Sequence, residues 1–355
     1  MNRRDFFARS LSIAAASGLA FAGSPGRSIA SPAQGHRVLD LDMFDTDRQR
    51  PVPTRLYMPG EAGSTQPAPL VVFSHGLGGS RMGYRYLGSH WADHGIASLH
   101  PQHVGSDNGL WRGNPLDLVQ RLQAAASESE ARARALDLRF VLDQVLASEL
   151  GPQIDASNLS VGGHSYGANT AMLVSGARVS ATGTGPADLR DPRIRSAILI
   201  SAPPILGQGP MEQVLATVRL PTLHVTSIED TINLPGYRST VEDRIAIFQA
   251  MSKSRRTLAV FNTGGHSIFT DRTTRSGPET SARIKGATRE LCTIFLRQSL
   301  TVPARLPHEA RFSEGQTPDR RPPALDAARE TDQEIGLWLS RHQDLVDRFI
   351  SPNGA

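Results

Sequence analysis

The chain has 355 residues, of which 39% are hydrophobic and 20% charged, and its mean hydropathy is −0.28. That is enough chain for one large α/β domain with some decoration, and the composition excludes an integral membrane bundle. Cys292 is the single cysteine, which excludes an internal disulfide and a cysteine-based metal cluster. The formal charge of +4 is concentrated at the start, where Arg3, Arg4, Arg9 and Arg27 face Asp5 alone. Taking these four and one from 38 basic and 34 acidic residues leaves 34 against 33, a nearly neutral remainder with no basic stripe for phosphates. Nucleic acid is therefore not an expected partner.

Residues 1–30 read as an address. Arg3 and Arg4 stand just before Phe6 and Phe7, and a weakly apolar, alanine-rich run follows over residues 11–23. This order of charged, apolar and small residues resembles a twin-arginine export signal, with cleavage after Ala22 or Ala30. Its apolar run of about a dozen residues is too short to span a bilayer stably. The expectation is export of a folded chain by the twin-arginine machinery to a periplasmic or secreted location, with no integral membrane segment in the mature form.

Residues 37–44 and 52–58 read as two antiparallel strands joined by a polar turn. Residues 69–74 (Pro-Leu-Val-Val-Phe-Ser) form a continuous apolar run, as expected of a strand buried on both faces. The same form recurs at 96–101, 159–163, 196–201, 222–226 and 258–262. Helical patterns fill the gaps at 84–94, 116–147 (two helices), 168–175, 240–251 and 281–300. The alternation predicts an α/β fold with a mostly parallel sheet of about eight strands flanked by helices and no large lid domain. Residues 302–323 read as an extended Pro- and Arg-rich tail, and 326–350 as a last amphipathic helix. The division is thus an address at 1–30, a catalytic domain at 36–300, and a tail with its helix at 301–355.

Gly163-His164-Ser165-Tyr166-Gly167 fits G-x-S-x-G, a weak pattern alone but here set between an apolar strand and a small-residue helix start. A nucleophile elbow needs that context, because the turn is tight enough to exclude bulky neighbours. It places Ser165 at a helix N-terminus, where backbone N–H groups favour developing negative charge. The loop His75-Gly76-Leu77-Gly78-Gly79 follows the third strand, where the second oxyanion donor of an α/β-hydrolase resides. The N–H groups of Leu77 and Tyr166 are the expected oxyanion hole. His75, at the strand's end, reads as an anchor of its own loop.

An acid and a histidine must follow the serine in that order. Asp230, on the loop after residues 222–226, is the expected acid, with Glu229 as its rival. His266 follows two glycines after the last strand and is the expected base. Trp111 and Asp107 are expected to line the substrate pocket. His90 and His94 have helical ligand spacing but lack a third ligand, so no metal site is expected.

Several stretches resemble bacterial hydrolases of the "predicted dienelactone hydrolase" type. They are the run from Arg48 to Pro59, the run from Ser74 to Arg81, His103-Val104-Gly105-Ser106-Asp107, Arg139 to Gln144, and the elbow. Those hydrolases are similar to platelet-activating-factor acetylhydrolases and, more distantly, to cutinase-like polyester hydrolases. The resemblance implies a carboxylic-ester hydrolase needing no cofactor. Two departures matter. True dienelactone hydrolases use a cysteine where this chain has Ser165. Plasma-type acetylhydrolases carry their acid after the strand equivalent to 196–201, where this chain continues Ala202-Pro203-Pro204, so the acid falls to the later strand. The expected function is hydrolysis of short-chain or accessible esters through an acyl-enzyme, the partner being a small-molecule or lipid-like ester. Alternatives are a lipase, a phospholipase A2-like acetylhydrolase or a polyester hydrolase, acyl transfer to another alcohol, and a catalytically silent hydrolase fold used for binding.

Overall fold

The computed structural model describes residues 35–60, 66–179, 188–205, 207–234, 236–272, 274–301 and 323–352. The export signal and the tail at 302–322 lie outside the described residues. Eleven strands occur among the described residues: β1 (His36–Asp45), β2 (Arg50–Pro59), β3 (Ala68–Ser74), β4 (Ala97–Pro101), β5 (Ile154–His164), β6 (Ile194–Ile200), β7 (Thr222–Ser227), β8 (Ile232–Leu234), β9 (Tyr237–Ser239), β10 (Arg256–Phe261) and β11 (Val346–Ile350). The helices are α1 (Arg85–Asp93), α2 (Leu118–Ala125), α3 (Glu128–Ala147), α4 (Tyr166–Val174), α5 (Met211–Val214), α6 (Val241–Ala250), α7 (Pro278–Thr301) and α8 (Pro323–His342).

Nine strands make one sheet in the order β1-β2-β4-β3-β5-β6-β7-β10-β11. The six from β4 to β10 run parallel, while β1, β2 and β11 join antiparallel at the two sides. The parallel strands are buried on both faces, which is why they read as unbroken apolar runs. Their side chains alternate between two cores. Leu70 and Val72 of β3 pack on one face with Leu138, Val141 and Leu142 of α3 and Met172 of α4. Val71 and Phe73 pack on the other with Trp91 of α1, Leu291 of α7 and Trp338 of α8. No helix among the described residues is long and apolar enough to cross a membrane.

The C-terminal segment departs from the sequence reading. Residues 326–350 were expected as a single helix beyond the catalytic domain. Instead α8 ends at His342 and the chain turns into β11, which pairs with β10 through Leu258–Ile350 and Ala259–Phe349. Without β11, β10 would expose a row of unpaired N–H and C=O groups at the sheet edge. Trp338, fully buried, donates its indole N–H to the Ala287 carbonyl at 2.9 Å and fastens α8 to α7. The domain boundary expected at residue 300 is therefore absent, and the segment belongs to one compact unit with the sheet. The antiparallel hairpin β8–β9, which is separate from the sheet, was also not predicted; its strands are three residues each, too short to show a period.

Candidate active site

The strand-to-helix turn after β5 bends at Ser165, whose backbone sits at φ 57° and ψ −124°, a strained conformation for a residue with a side chain. The bend is held by the Ser165 N–H, which donates to the Ile200 carbonyl at 2.9 Å. Gly163 and Gly167 are required by contact: a Cβ at 163 would overlap the Gly167 carbonyl, and one at 167 would overlap Ser74.

The three residues expected to act together meet in space. Ser165 Oγ donates to His266 Nε2 at 2.8 Å, and His266 Nδ1 donates to Asp230 Oδ1 at 2.8 Å. Ser165 is 9% exposed and the His266 side chain 20%, while Asp230 is fully buried, so a ligand can reach the first two and not the third. Burial pushes the Asp230 carboxyl upward. The hydrogen bond and charge of His266, the nearby Arg244 and the Ser201 hydroxyl outweigh it and hold the group well below the usual carboxylate range. Asp230 Oδ2 also accepts from Thr226 Oγ1 at 2.7 Å and from Ser201, and Oδ1 lies 3.4 Å from Arg244 Nη2. Glu229, the rival acid, is exposed and accepts from the Gly264 N–H at 3.0 Å instead. It braces the His266 loop.

On the other side of Ser165 lies the loop after β3. The Gly76 N–H donates to Tyr84 Oη at 3.2 Å, Gly78 N–H to the Ser106 carbonyl at 2.8 Å, and Gly79 N–H to the Gly76 carbonyl at 3.0 Å. The Leu77 N–H is the one in this stretch with no acceptor among the described residues. Tyr166 opens α4, so its N–H has no partner within the helix. Both expected oxyanion donors are therefore uncommitted. His75 is fully occupied by its loop: Nδ1 donates to the Gly76 carbonyl at 2.7 Å and Nε2 accepts from the His103 N–H at 3.1 Å. Burial, with Arg134 nearby, keeps its imidazole neutral far below its usual range.

Trp111 is half-exposed and donates its indole N–H to the Gly78 carbonyl at 2.9 Å. The indole lies directly on Gly78, which has φ +69° and no room for a Cβ. Asp107 is differently employed from the expected pocket role. Its carboxylate accepts from the Gly109 N–H at 3.0 Å and from Gln102 Nε2 at 2.6 Å, holding the short helical turn that carries Trp111.

Sequence reasoning missed a buried ionic cluster behind the oxyanion loop. Ser74 Oγ lies 2.9 Å from His103 Nε2, and His103 Nδ1 2.9 Å from Asp137 Oδ2. This is a second Ser-His-Asp array, but all three side chains are inaccessible and Asp137 is bound by Arg48 and Arg50. Burial raises the Asp137 carboxyl against the pull of those arginines and holds the His103 imidazole neutral. The available signal was on α3. Arg134 and Asp137 share the face of Leu138, Val141 and Val145, two charges on a core-facing stripe. Among the described residues no group of three or more His, Cys, Asp or Glu is placed to hold a metal.

The comparisons agree with this architecture. The family model described as platelet-activating factor acetylhydrolase, isoform II, matches residues 52–108, from β2 through the oxyanion loop to the Trp111 turn. A ferulic acid esterase from Streptomyces cinnamoneus is similar at a TM-score of 0.54 and 23% identity, over 77% of this chain and 92% of that one. An acylaminoacyl peptidase (TM-score 0.51, 17% identity) and a puromycin hydrolase (0.51, 16%) are similar over 75% and 79% of this chain. The chain spans only 41% and 42% of those two structures. No curated protein matches significantly. Fold and comparisons together show an α/β-hydrolase fold, similar to that of esterases and peptidases, with a stretch over residues 52–108 similar to acetylhydrolases.

Proposed function

We propose that the chain is an exported serine esterase that cleaves short-chain or accessible carboxylic esters through an acyl-enzyme. The observation that carries this reading is the unbroken path from Ser165 Oγ to His266 Nε2 and from His266 Nδ1 to Asp230, each step 2.8 Å, at the N-terminus of α4. His266 takes the Ser165 proton as Oγ attacks the ester carbonyl. The tetrahedral oxyanion is held by the Leu77 and Tyr166 N–H groups. His266 then returns the proton to the leaving alkoxide, and water, deprotonated by His266 in its turn, releases the acid. Asp230 keeps Nδ1 protonated and the ring turned toward Ser165. No cofactor enters this scheme. Trp111, fixed over Gly78 beside the oxyanion loop, is the proposed wall for the acyl or alcohol group.

The Arg3-Arg4 motif supports twin-arginine export to the periplasm or beyond, and a fold without disulfides suits transport in the folded state. A second reading, an acetylhydrolase acting on lipid-like esters, is favoured by the match over residues 52–108. The apolar side chains Trp111, Leu116 and Val119, left exposed on the turns and helix that follow that stretch, favour it too.

Labelling with a fluorophosphonate followed by mass mapping tests the nucleophile: modification at Ser165 supports the proposal, and an unlabelled active protein overturns it. Rates on 4-nitrophenyl acetate and on the acetyl ester of a long-chain, lipid-like alcohol then separate the two readings. Faster turnover of the small acetate supports the first, and a marked preference for the lipid-like acetyl ester the second.

A further inference from the structure

We propose that Arg134 is a positioning residue of the oxyanion hole, fixing the two segments that supply its donors relative to each other. The inference rests on the acyl-transfer reading of the site.

Arg134 projects from α3 and is completely buried. Its guanidinium reaches three segments. Nη2 donates to the His75 carbonyl and to Ser74 Oγ (3.0 Å) at the end of β3. Nη1 donates to Ser106 Oγ at 2.7 Å, in the loop leading to Trp111. Nε donates to Thr170 Oγ1 at 3.0 Å, one turn into α4, and the guanidinium carbon lies 4.6 Å from the centre of the Tyr166 ring. Every hydrogen-bond acceptor in this set is neutral, and no carboxylate among the described residues pairs directly with the cation. Burying such a charge is strongly unfavourable, and an apolar side chain would pack α3 against the sheet at lower cost. Packing alone does not explain an arginine here.

What the guanidinium does is immobilise the peptides around the Leu77 N–H. The 75–76 peptide is gripped at its carbonyl by Arg134 and at its N–H by Tyr84 Oη, 3.2 Å away. The 77–78 peptide is held through the Gly78 N–H by the Ser106 carbonyl, and the Ser106 hydroxyl is itself bound to Arg134. Leu77 is thus suspended between two fixed peptides. The same guanidinium holds Thr170 and faces Tyr166, whose N–H is the other donor. The planar fork suits this task because its donors lie at fixed angles, which an ammonium cannot reproduce. Behind it, Ser74, His103 and Asp137 continue the network to Arg48 and Arg50, which keeps the guanidinium itself in place.

An oxyanion hole acts on the transition state, so a displaced donor lowers kcat and leaves KM nearly unchanged. The test uses Arg134→Lys, which keeps the charge and loses the fork, with Thr170→Val and Ser106→Ala, which each remove one acceptor. The substrate is 4-nitrophenyl acetate, and the probe of the hole is a trifluoromethyl ketone, whose serine adduct carries the oxyanion. For Arg134→Lys we expect kcat to fall ~10–100-fold, with KM within ~3-fold of wild type and the ketone weakened in proportion. The acid limb of the pH profile stays in place, because His266 and Asp230 are untouched. Thr170→Val and Ser106→Ala show the same signature at a few-fold. A wild-type kcat in Arg134→Lys overturns the proposal, as does a loss that moves KM equally or shifts the acid limb. If Arg134→Lys fails to fold, unchanged kcat and ketone binding in both single-acceptor variants overturn it. A wild-type protein that fluorophosphonate does not label at Ser165 removes the underlying reading as well. Labelled wild type with an unaffected Arg134→Lys removes Arg134 alone.

Discussion

His164 Nε2 donates a hydrogen bond to the backbone carbonyl of His266 at 3.1 Å, so the residue before the nucleophile grips the loop that carries the proposed base. The other ring nitrogen, Nδ1, accepts from Tyr84 Oη at 2.9 Å, and Tyr84 Oη accepts from the Gly76 N–H. One line of hydrogen bonds therefore runs from the oxyanion loop, under the elbow, to the base loop. His164 can serve in it only as a neutral ring, and burial pushes its pKa down to about 3, with the neighbouring charge of His266 adding to the effect.

Tyr84→Phe tests that line. It removes one oxygen and leaves two buried groups unpaired, the Gly76 N–H and His164 Nδ1. Each orphaned buried polar group costs about 1–3 kcal/mol. We expect a clear drop in melting temperature and a loss in kcat of ~10-fold, since both the oxyanion loop and the His266 loop gain freedom. Thermal melts and steady-state kinetics on one preparation check it. A variant as stable and as active as wild type would show the line to be idle.

The choice between the two neighbouring acids gives a second prediction. Asp230→Asn keeps the shape and removes the charge that holds the His266 tautomer, so kcat should fall by ~10⁴-fold, with Ser165→Ala and His266→Ala at least as damaging. Glu229→Gln should keep most of the activity and lose a little stability, because its carboxylate only receives the Gly264 N–H and a long contact from Thr263. Kinetics on the four variants decide the assignment. An inactive Glu229→Gln beside an active Asp230→Asn would reverse it.

Ser201 gives a third. It sits just past β6 with φ 55°, fully buried, and its hydroxyl lies 2.8 Å from His266 Nδ1 while donating to Asp230. A hydroxyl at the end of β6 thus supports the carboxylate that comes from the loop after β7. Ser201→Ala should lower kcat ~10-fold by loosening the imidazole. Ser201→Gly should be equally slow yet more stable than Ser201→Ala, because glycine accepts the positive φ without strain. Equal stability of the two would show that the backbone there stores no strain.

How much of this was legible beforehand depended on whether a residue's role was local. The parallel strands announced themselves because burial on both faces leaves runs dominated by apolar residues. The elbow did so because its tight turn requires glycine two residues before and two residues after Ser165. Asp230 and His266 followed from chain order, each on the loop after a recognisable strand. Arg134, Asp137, Ser201 and Tyr84 were not legible, since each acts through contacts distant in sequence. Tyr84 reaches His164, and Arg134 reaches Ser74, Ser106 and Thr170. Charges on the core stripe of α3 were the only visible sign of Arg134 and Asp137. The strand β11 was hidden for a different reason. Its five residues follow a helix after a short turn and carry Asp347 and Arg348 at its centre, so a helical period extends over them without a break.

The buried histidines yield the last prediction, on stability against pH. His100, His164 and His224 are completely buried, and burial lowers each to about 3; burial holds His75 and His103 well below their usual value too. In the unfolded chain each titrates near 6.5. Between that value and the folded one, the unfolded state binds protons that the folded state refuses, so stability rises with pH across this window and falls on acidification. Each such histidine contributes roughly 1 kcal/mol per pH unit once the solution is below its unfolded value. Five together make stability fall as the pH drops below the unfolded value of about 6.5, so the loss starts above the range where carboxylates protonate. Asp230, whose carboxyl is lowered in the folded state, adds its own loss only further down, as the pH falls through the unfolded carboxylate value and beyond. Melting temperatures measured across this window at constant ionic strength should therefore decline well before the carboxylates titrate. His224 is the cleanest probe. It lies in β7, two strands away from β5, with its ring against Phe248 of α6 and its Nε2 3.1 Å from Thr222 Oγ1. His224→Gln should flatten the pH dependence of the melting temperature by one histidine's share. An unchanged slope would mean that this ring is already protonated in the fold, and that the acid sensitivity has another source.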